Sequence, residues 1–206
     1  MNVLVYDSPV SIARLVRSLL RPQGHRVSIS TEPSDALEKL ATSLFDALVI
    51  GPEGAPLELA EILERDFPNL PVILAGVEVE VPPSGQVAAV FPAPLSARRL
   101  LATIARLDQQ RLEQIRALPV QLAVDGLSIS CRLADLTPET MVLAGESDEF
   151  QNYFSASPRR VEARVGGVEL GGEVASIQND LPRHVRQVGV RLEGSQAREI
   201  LAALLK

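Results

Sequence analysis

The sequence predicts two domains of different class: an α/β domain with a doubly wound, parallel five-stranded sheet, then a small antiparallel β-barrel with a C-terminal helix. Three observations carry this reading. Residues 1–108 alternate short apolar runs with amphipathic helical patterns five times, as expected of a parallel sheet with helices on both faces and right-handed crossovers. From Pro119 onward the hydrophobic period falls from 3.6 residues to 2. Between the two lies one stretch, residues 96–118, with no Pro or Gly inside it.

In the first half, residues 3–6 (VLVY) form an apolar run ending at Asp7. Residues 11–20 set Ile12, Leu15, Val16, Leu19 and Leu20 on one helical face, and Gly24 stands where a left-handed cap is expected. Residues 25–30 alternate like a half-exposed strand. Residues 33–43 are helical, with Pro33 in the first turn, where its missing N–H is tolerated. DALVI at 46–50 reads as a buried strand, 57–66 as a helix, and PVILA at 71–75 and VAAVF at 87–91 as two more strands. Only residues 77–86 separate those last two, and Pro82, Pro83 and Gly85 oppose a helix there. The alternation of Val77, Val79 and Val81 with glutamates suits a docking patch or a charge-blunted edge strand equally.

Leu100, Leu101, Ile104, Leu107, Leu112 and Ile115 follow the helical period in residues 96–118, with Ser96 as N-cap and Pro119 as stop. Such a helix spans roughly 34 Å, more than one small domain needs. It is predicted to end the first domain and serve as stalk to the second; a break near Asp108, Gln109 and Gln110 is the alternative. Asp108 and Arg111 interrupt the apolar stripe, so no sustained heptad is evident and homodimerisation stays open.

In the second half, residues 120–124 run into Asp125-Gly126, a hairpin signal. Leu127, Ile129, Cys131 and Leu133 share one side of the next strand, and 141–144 form a third. Residues 146–160 are polar and read as a long loop or short helix. Residues 161–165 and 168–177 suggest a hairpin with bends at Gly166-Gly167 and Gly171-Gly172, 188–192 a last strand, and 197–205 a closing helix. Six or seven short strands at this spacing imply a barrel.

Composition narrows the function classes. Aromatic residues make up 3% of the chain with no Trp, too few for base-stacking platforms. Residues 1–110 carry 9 Lys/Arg against 13 Asp/Glu, and residues 111–206 carry 11 against 13. No basic footprint for a nucleic-acid polymer exists. One cysteine, Cys131, fits a reducing cytoplasm. The N-terminus lacks a basic n-region, and no window approaches 18 apolar residues, so neither a signal peptide nor membrane insertion is predicted. His25, His184 and Cys131 lack zinc spacing, no GxSxG or GxxxxGK[ST] occurs, and no enzyme constellation is found.

The blocks VLVYDSPVSIARLVRSLL, FDALVIG, LPVILAG and VFPAPLSARRLLATI resemble, in order and spacing, those of a response-regulator receiver domain, over about residues 1–108. The resemblance implies a Mg²⁺-dependent phosphoacceptor site, and the chain departs from it at each position. Tyr6-Asp7 keeps one carboxylate of the acidic pair, Gly51 stands where the acceptor Asp is expected, Gly76 replaces the hydroxyl residue, and Ala93 replaces the Lys. A hard cation needs several oxygen ligands, and phosphoryl transfer needs an acceptor and neutralised charge. A pseudo-receiver is predicted. Asp7 is read as a polar residue at the sheet edge, and Glu53 as a solvated loop residue rather than a mimic of the phosphorylated state.

The second half resembles a PilZ domain, a six-stranded barrel that in many members binds cyclic di-GMP. The likeness rests on Arg111 and Arg116, on Leu118-Pro119-Val120, on residues 133–137 (LADLT), and on GEVASIQ and VGVRLEG. It implies Arg111, Arg116, Asp135 and Thr137 as dinucleotide contacts. Guanidinium forks suit phosphate and the guanine edge, the carboxylate accepts from guanine amino groups, and the hydroxyl reaches phosphate. The arginines are five apart rather than four, and Thr140 replaces a glycine whose φ > 0 a β-branched residue resists. On a rigid helix the two arginines would point about 140° apart. The expectation is a non-catalytic bacterial signalling protein with no cofactor, acting on other signalling or motility proteins. A cyclic di-GMP receptor is the alternative.

Overall fold

The computed structural model describes residues 1–7, 11–52, 57–77, 86–124, 127–137, 139–155, 160–180, 185–192 and 200. Every residue of β3 (Ala47–Ile50) and β4 (Val72–Ala75) is buried, which requires cover on both faces of their sheet. With β1 (Asn2–Tyr6), β2 (Arg26–Ser30) and β5 (Val87–Phe91) they pair in the order β2-β1-β3-β4-β5, every pair parallel. Successive side chains alternate between the faces, and two cores result. Val3, Val5, Val49 and Ile73 meet Val16 and Leu20 of α1 (Ser11–Leu20) and Leu100 and Ile104 of α4 (Ala97–Arg116). Leu4, Leu48, Ile50 and Leu74 meet Leu40 of α2 (Pro33–Thr42) and Leu59 and Leu63 of α3 (Leu57–Asp66). The doubly wound domain read from the sequence is present. Its strand order reverses between β1 and β3, where the carboxyl ends of the strands open a crevice.

Local chemistry sets the helix ends. After α1 a 3₁₀ turn, Arg21–Gln23, closes on Gly24, whose φ of 83° only a residue without Cβ adopts readily. At the start of α4 the Ser96 hydroxyl accepts from the Arg99 amide at 3.4 Å. Helix α4 is unbroken through Asp108, Gln109 and Gln110. It stops at Arg116, where the Ala117 amide is shared between the carbonyls of Glu113 and Gln114, two residues short of the expected end. Residues through Gln109 group into one compact unit, and those from Gln110 into a second.

The second unit is a closed antiparallel barrel in the order β10-β11-β8-β7-β6-β9. Its strands are β6 (Pro119–Val124), β7 (Leu127–Leu136), β8 (Thr140–Gly145), β9 (Arg160–Val165), β10 (Val168–Asp180) and β11 (Val185–Leu192). Strand β9 shows the period-2 rule plainly: Val161, Ala163 and Val165 are buried, and Arg160, Glu162 and Arg164 are exposed. Two expectations change. Strand β7 continues past Leu133 to Leu136, because a bulge between Leu133 and Asp135 resets the alternation so that both leucines face inward. Gly166 and Gly167, both at positive φ, form the β9–β10 turn as read. Gly171 and Gly172, however, lie in straight ladder opposite Glu162 and Val161, and the irregularity in β10 falls between Val174 and Ser176. A Cβ at Gly172 would sit 2.8 Å from the Val190 side chain, so close strand approach, not a bend, calls for that glycine.

The polar stretch after β8 holds a short helix, α5 (Asp148–Ser155), which turns Phe150 and Phe154 into the barrel. Their ring centroids lie 4.8 Å apart. A Cβ at Gly145 would overlap the Phe150 ring. Arg186 of β11 holds the helix from below, donating to the Gln151 carbonyl and the Ser155 hydroxyl. The Asp125-Gly126 turn, Glu53, residues 78–85, Pro158, His184 and residues 197–199 and 201–205 of the expected closing helix lie outside the described residues. No helix among the described residues is long and apolar enough to cross a membrane. Phe150→Ala should cost about 3–5 kcal/mol, the range for emptying a phenyl-sized core position, read as a lowered denaturation midpoint. An unchanged midpoint would remove α5 from the core.

Candidate functional site

The first candidate is the crevice at the carboxyl ends of the parallel strands. Asp7 follows β1 with its side chain fully buried. Its backbone amide continues the ladder to the Ser30 carbonyl at 3.1 Å, and the Gly51 amide does the same to Tyr6 at 2.8 Å. Asp7 Oδ2 accepts from the amide of Ala13, in the first turn of α1, at 3.0 Å. Oδ1 has no hydrogen-bond partner among the described residues, a cost of about 1–3 kcal/mol for a buried acceptor. That oxygen lies against Gly51. A Cβ built there would overlap it and stand 2.7 Å from Asp7 Cγ. The carboxylate therefore fills the volume that any side chain at position 51 would need.

Gly76 has neighbours at ordinary contact distance. Beyond Gly76, at φ 76°, lie Ile12 Cδ1 at 3.4 Å and Pro52 Cδ at 3.5 Å from a built Cβ. Burial, and then the charge of Glu32, push the Tyr6 phenol above its ordinary range, keeping it a neutral hydroxyl. Ser30, almost fully buried at the end of β2, donates to Asp35 at 2.5 Å, and Lys39 reaches the same carboxylate at 2.6 Å. Those two bonds, Lys39 first, hold Asp35 below the usual carboxylate range. The described residues of this crevice do not make a divalent-cation site. They place one carboxylate there, with one oxygen serving a helix amide and the other facing Gly51, and no metal-holding group of His, Cys, Asp or Glu occurs among them.

The second candidate lies at one end of the barrel. Beyond Arg132, which pairs with Pro119, strand β7 runs past the start of β6. Two arginines serve the carbonyls of that overhang. Arg111 Nη1 donates to Leu136 O at 3.1 Å, and Arg116 Nε to Ala134 O at 3.5 Å. The structure thus brings together the arginines that helical spacing sets about 140° apart. Carbonyls two residues apart on a strand share one edge, and two long side chains reach around the helix end to meet them. Arg111 Nη2 lies 3.4 Å from Asp135 Oδ1, which also accepts from the Leu136 amide at 2.8 Å.

Thr137 opens the turn into β8. Its amide donates to Thr140 O at 2.8 Å, and its hydroxyl accepts from the amides of Thr140 at 3.0 Å and Glu139 at 3.3 Å. Thr140 is the first residue of β8, paired with Arg191. It lies in extended backbone, which suits a β-branched side chain, so the φ > 0 it was expected to resist is not asked of it. All four sequence candidates, Arg111, Arg116, Asp135 and Thr137, are therefore neighbours, each bonded within the chain. The overhang that gives the arginines their carbonyl partners was not readable, because it depends on where β6 begins relative to β7.

No protein-family model matches the chain, and no curated protein matches it. Solved structures similar to about half of the chain include receiver domains. The signal receiver domain of an HD domain-containing protein from Pseudomonas fluorescens Pf-5 is 18% identical and has a TM-score of 0.48, covering 53% of this chain and 94% of its own. The receiver domain of the Francisella response regulator 1452 is 21% identical, with a TM-score of 0.46 and coverage of 53% and 97%. A response regulator, TrrA, from Thermotoga maritima in complex with Mg²⁺-BeF is 18% identical, with a TM-score of 0.45 and coverage of 52% and 97%.

Two outcomes follow from these environments. Gly51→Asp should lower stability by about 1–3 kcal/mol through overpacking, and Asp7→Ala in the same chain should recover most of that loss; a purely additive double variant would show that the two positions do not compete. Burial pushes the half-buried Cys131 thiol up to about 12. The folded thiol keeps its proton where the unfolded one loses it. Its contribution to stability is intact below about pH 8.5 and lost as pH rises toward the folded value. Alkylation at pH 8 should therefore run at least about a hundredfold slower in the folded chain than in denaturant.

Proposed function

We propose that this chain is a non-catalytic bacterial signalling protein that acts by binding other proteins, through a pseudo-receiver unit and a PilZ-like barrel. One observation carries the proposal: the buried carboxylate of Asp7 takes up the volume beside Gly51 where a phosphoacceptor side chain would stand. Without acceptor, cation ligands or the neutralising Lys that Ala93 replaces, phosphoryl transfer has nothing to act on. What the unit retains is a rigid sheet-and-helix surface, and recognition by surface needs no chemistry at the crevice. The barrel supports the same reading, because the hydrogen-bonding groups of Asp135 and Thr137 are engaged within the chain. The proposed setting is the cytoplasm, in keeping with the single cysteine.

A second reading rests on the meeting of Arg111 and Arg116 beside Asp135 and Thr137. Two guanidinium groups at one barrel end suit a cyclic dinucleotide, provided it displaces their carbonyl partners. Titration calorimetry of the full chain with cyclic di-GMP separates the two. The protein-binding reading expects no saturable heat at micromolar concentrations. Micromolar or tighter binding, lost in Arg116→Ala, would make the chain a dinucleotide sensor instead. Beryllofluoride with Mg²⁺ should leave the amide resonances around Gly51 where they are, and a Mg²⁺-dependent shift there would return phosphorylation to the account.

A further inference from the structure

The outer face of the barrel carries a groove of about 550 Å³ that crosses four neighbouring strands, β7, β6, β9 and β10, within the size range of specific binding pockets. The cross-strand register explains its chemistry. On the outward face of β9, Arg160, Glu162 and Arg164 stand in sequence. Opposite them on β10 are Glu173, Gly171 and Glu169. The outer two positions set arginine against glutamate, and Arg164 pairs with Glu169 at 2.8 Å. The middle position sets a carboxylate against a glycine. Where the ladder would place a cation it has no side chain at all, and a Cβ built on Gly171 meets nothing within 4 Å.

On its other flank β9 pairs with β6, Gln121 opposite Arg164 and Leu122 opposite Ala163, which brings Ala123 beside Glu162. Ala123 in turn faces Ser128 of β7. The exposed Glu162 carboxylate thus stands near the middle of a groove about 14 Å across, from strand spacing, with oxygen acceptors from Gln121 and Ser128 on the same lining. No cationic partner for Glu162 is found among the described residues.

We infer that this groove docks an extended segment of a partner protein through an arginine, whose guanidinium supplies the cation that the ladder lacks at Gly171. Arginine fits better than lysine. Its planar fork meets a carboxylate with two parallel bonds and still has donors for the Gln121 carbonyl and Ser128 hydroxyl, and it sheds water more readily than an ammonium does. Charge complementarity is local: Arg164 is paired with Glu169 and Arg160 stands opposite Glu173, so Glu162 is the carboxylate of this face with no cation across the ladder, and it selects the partner's sign. A closed barrel offers no strand edge here, so recognition works through side chains. The inference rests on the protein-binding reading and names the chemistry of the partner.

The test uses the full chain and a capped peptide, acetyl-Gly-Ser-Arg-Ser-Gly-amide, followed by amide chemical shifts at about 20 mM salt, where screening is weak. Shifts are expected at residues 121–123, 128, 162–164 and 169–171, and none of them with the citrulline version of the peptide. Glu162→Gln, an exposed and isosteric change, should weaken binding about tenfold or more. Gly171→Lys should fold, as its own spectrum reports, and abolish binding by supplying the cation internally. Equal shifts with the citrulline peptide, undiminished binding by Glu162→Gln, or shifts confined to 111–116 and 134–137 would each overturn the inference. Shifts of the groove residues on concentrating the chain alone would replace the partner with a second copy. Cyclic di-GMP binding at Arg116 would defeat the protein-binding reading and leave the arginine preference of the groove standing, whereas loss of that preference alone would do the reverse.

Discussion

Asp7 closes β1 with its side chain turned into the mouth of the sheet, one oxygen held by the Ala13 amide and the other lying against Gly51. This contact ties the first strand to the first helix and to the third strand at the point where strand order reverses. A carboxylate at a helix start satisfies an amide that has no partner in its own helix, and its charge opposes the positive end of the helix dipole. The Asp7 side chain thus acts as a brace between strand and helix. It can act so because position 51 has no side chain. Beside Gly51 the space is taken by the chain itself.

The barrel end repeats this logic with different groups. Strand β7 outruns its neighbour β6, which leaves the carbonyls of Ala134 and Leu136 without a partner in that strand. Arg111 and Arg116 serve them instead. Thr137 is occupied by the turn that it opens, and Asp135 by the amide that follows it. These four side chains hold up local backbone. In both units buried or half-buried polar groups serve the chain's own amides and carbonyls.

Much of the fold was legible because its signals are local and repeated. The continuous apolar runs at 47–50 and 72–75 could only be strands covered on both faces, and the period of 2 at 160–165 could only be half-buried. What was not legible depended on a neighbour's position. The bulge before Asp135 breaks the alternation that sequence reading follows, so β7 looked three residues shorter than it is. Gly171 and Gly172 looked like a bend, but one of them answers the close approach of Val190 and Arg191 from the next strand. The short helix α5 was undecided because its stretch is mostly polar, and only Phe150 and Phe154 disclose which face is buried. That Arg111, Arg116, Asp135 and Thr137 belong in one group was suggested by the resemblance to a PilZ domain. Their convergence was not, since helical geometry fixes Cβ directions and says little about where a long arginine ends.

Closure of the barrel has a consequence for how the second unit changes over evolutionary time. Where β6, β7, β9 and β10 lie side by side under the groove, their amides and carbonyls pair with neighbouring strands, and an incoming chain meets side chains rather than a strand edge there. Outward positions such as 121, 123, 128 and 162 are then decoupled from the inward ones that hold the fold. Single exchanges at these exposed positions should leave the packing beneath them undisturbed.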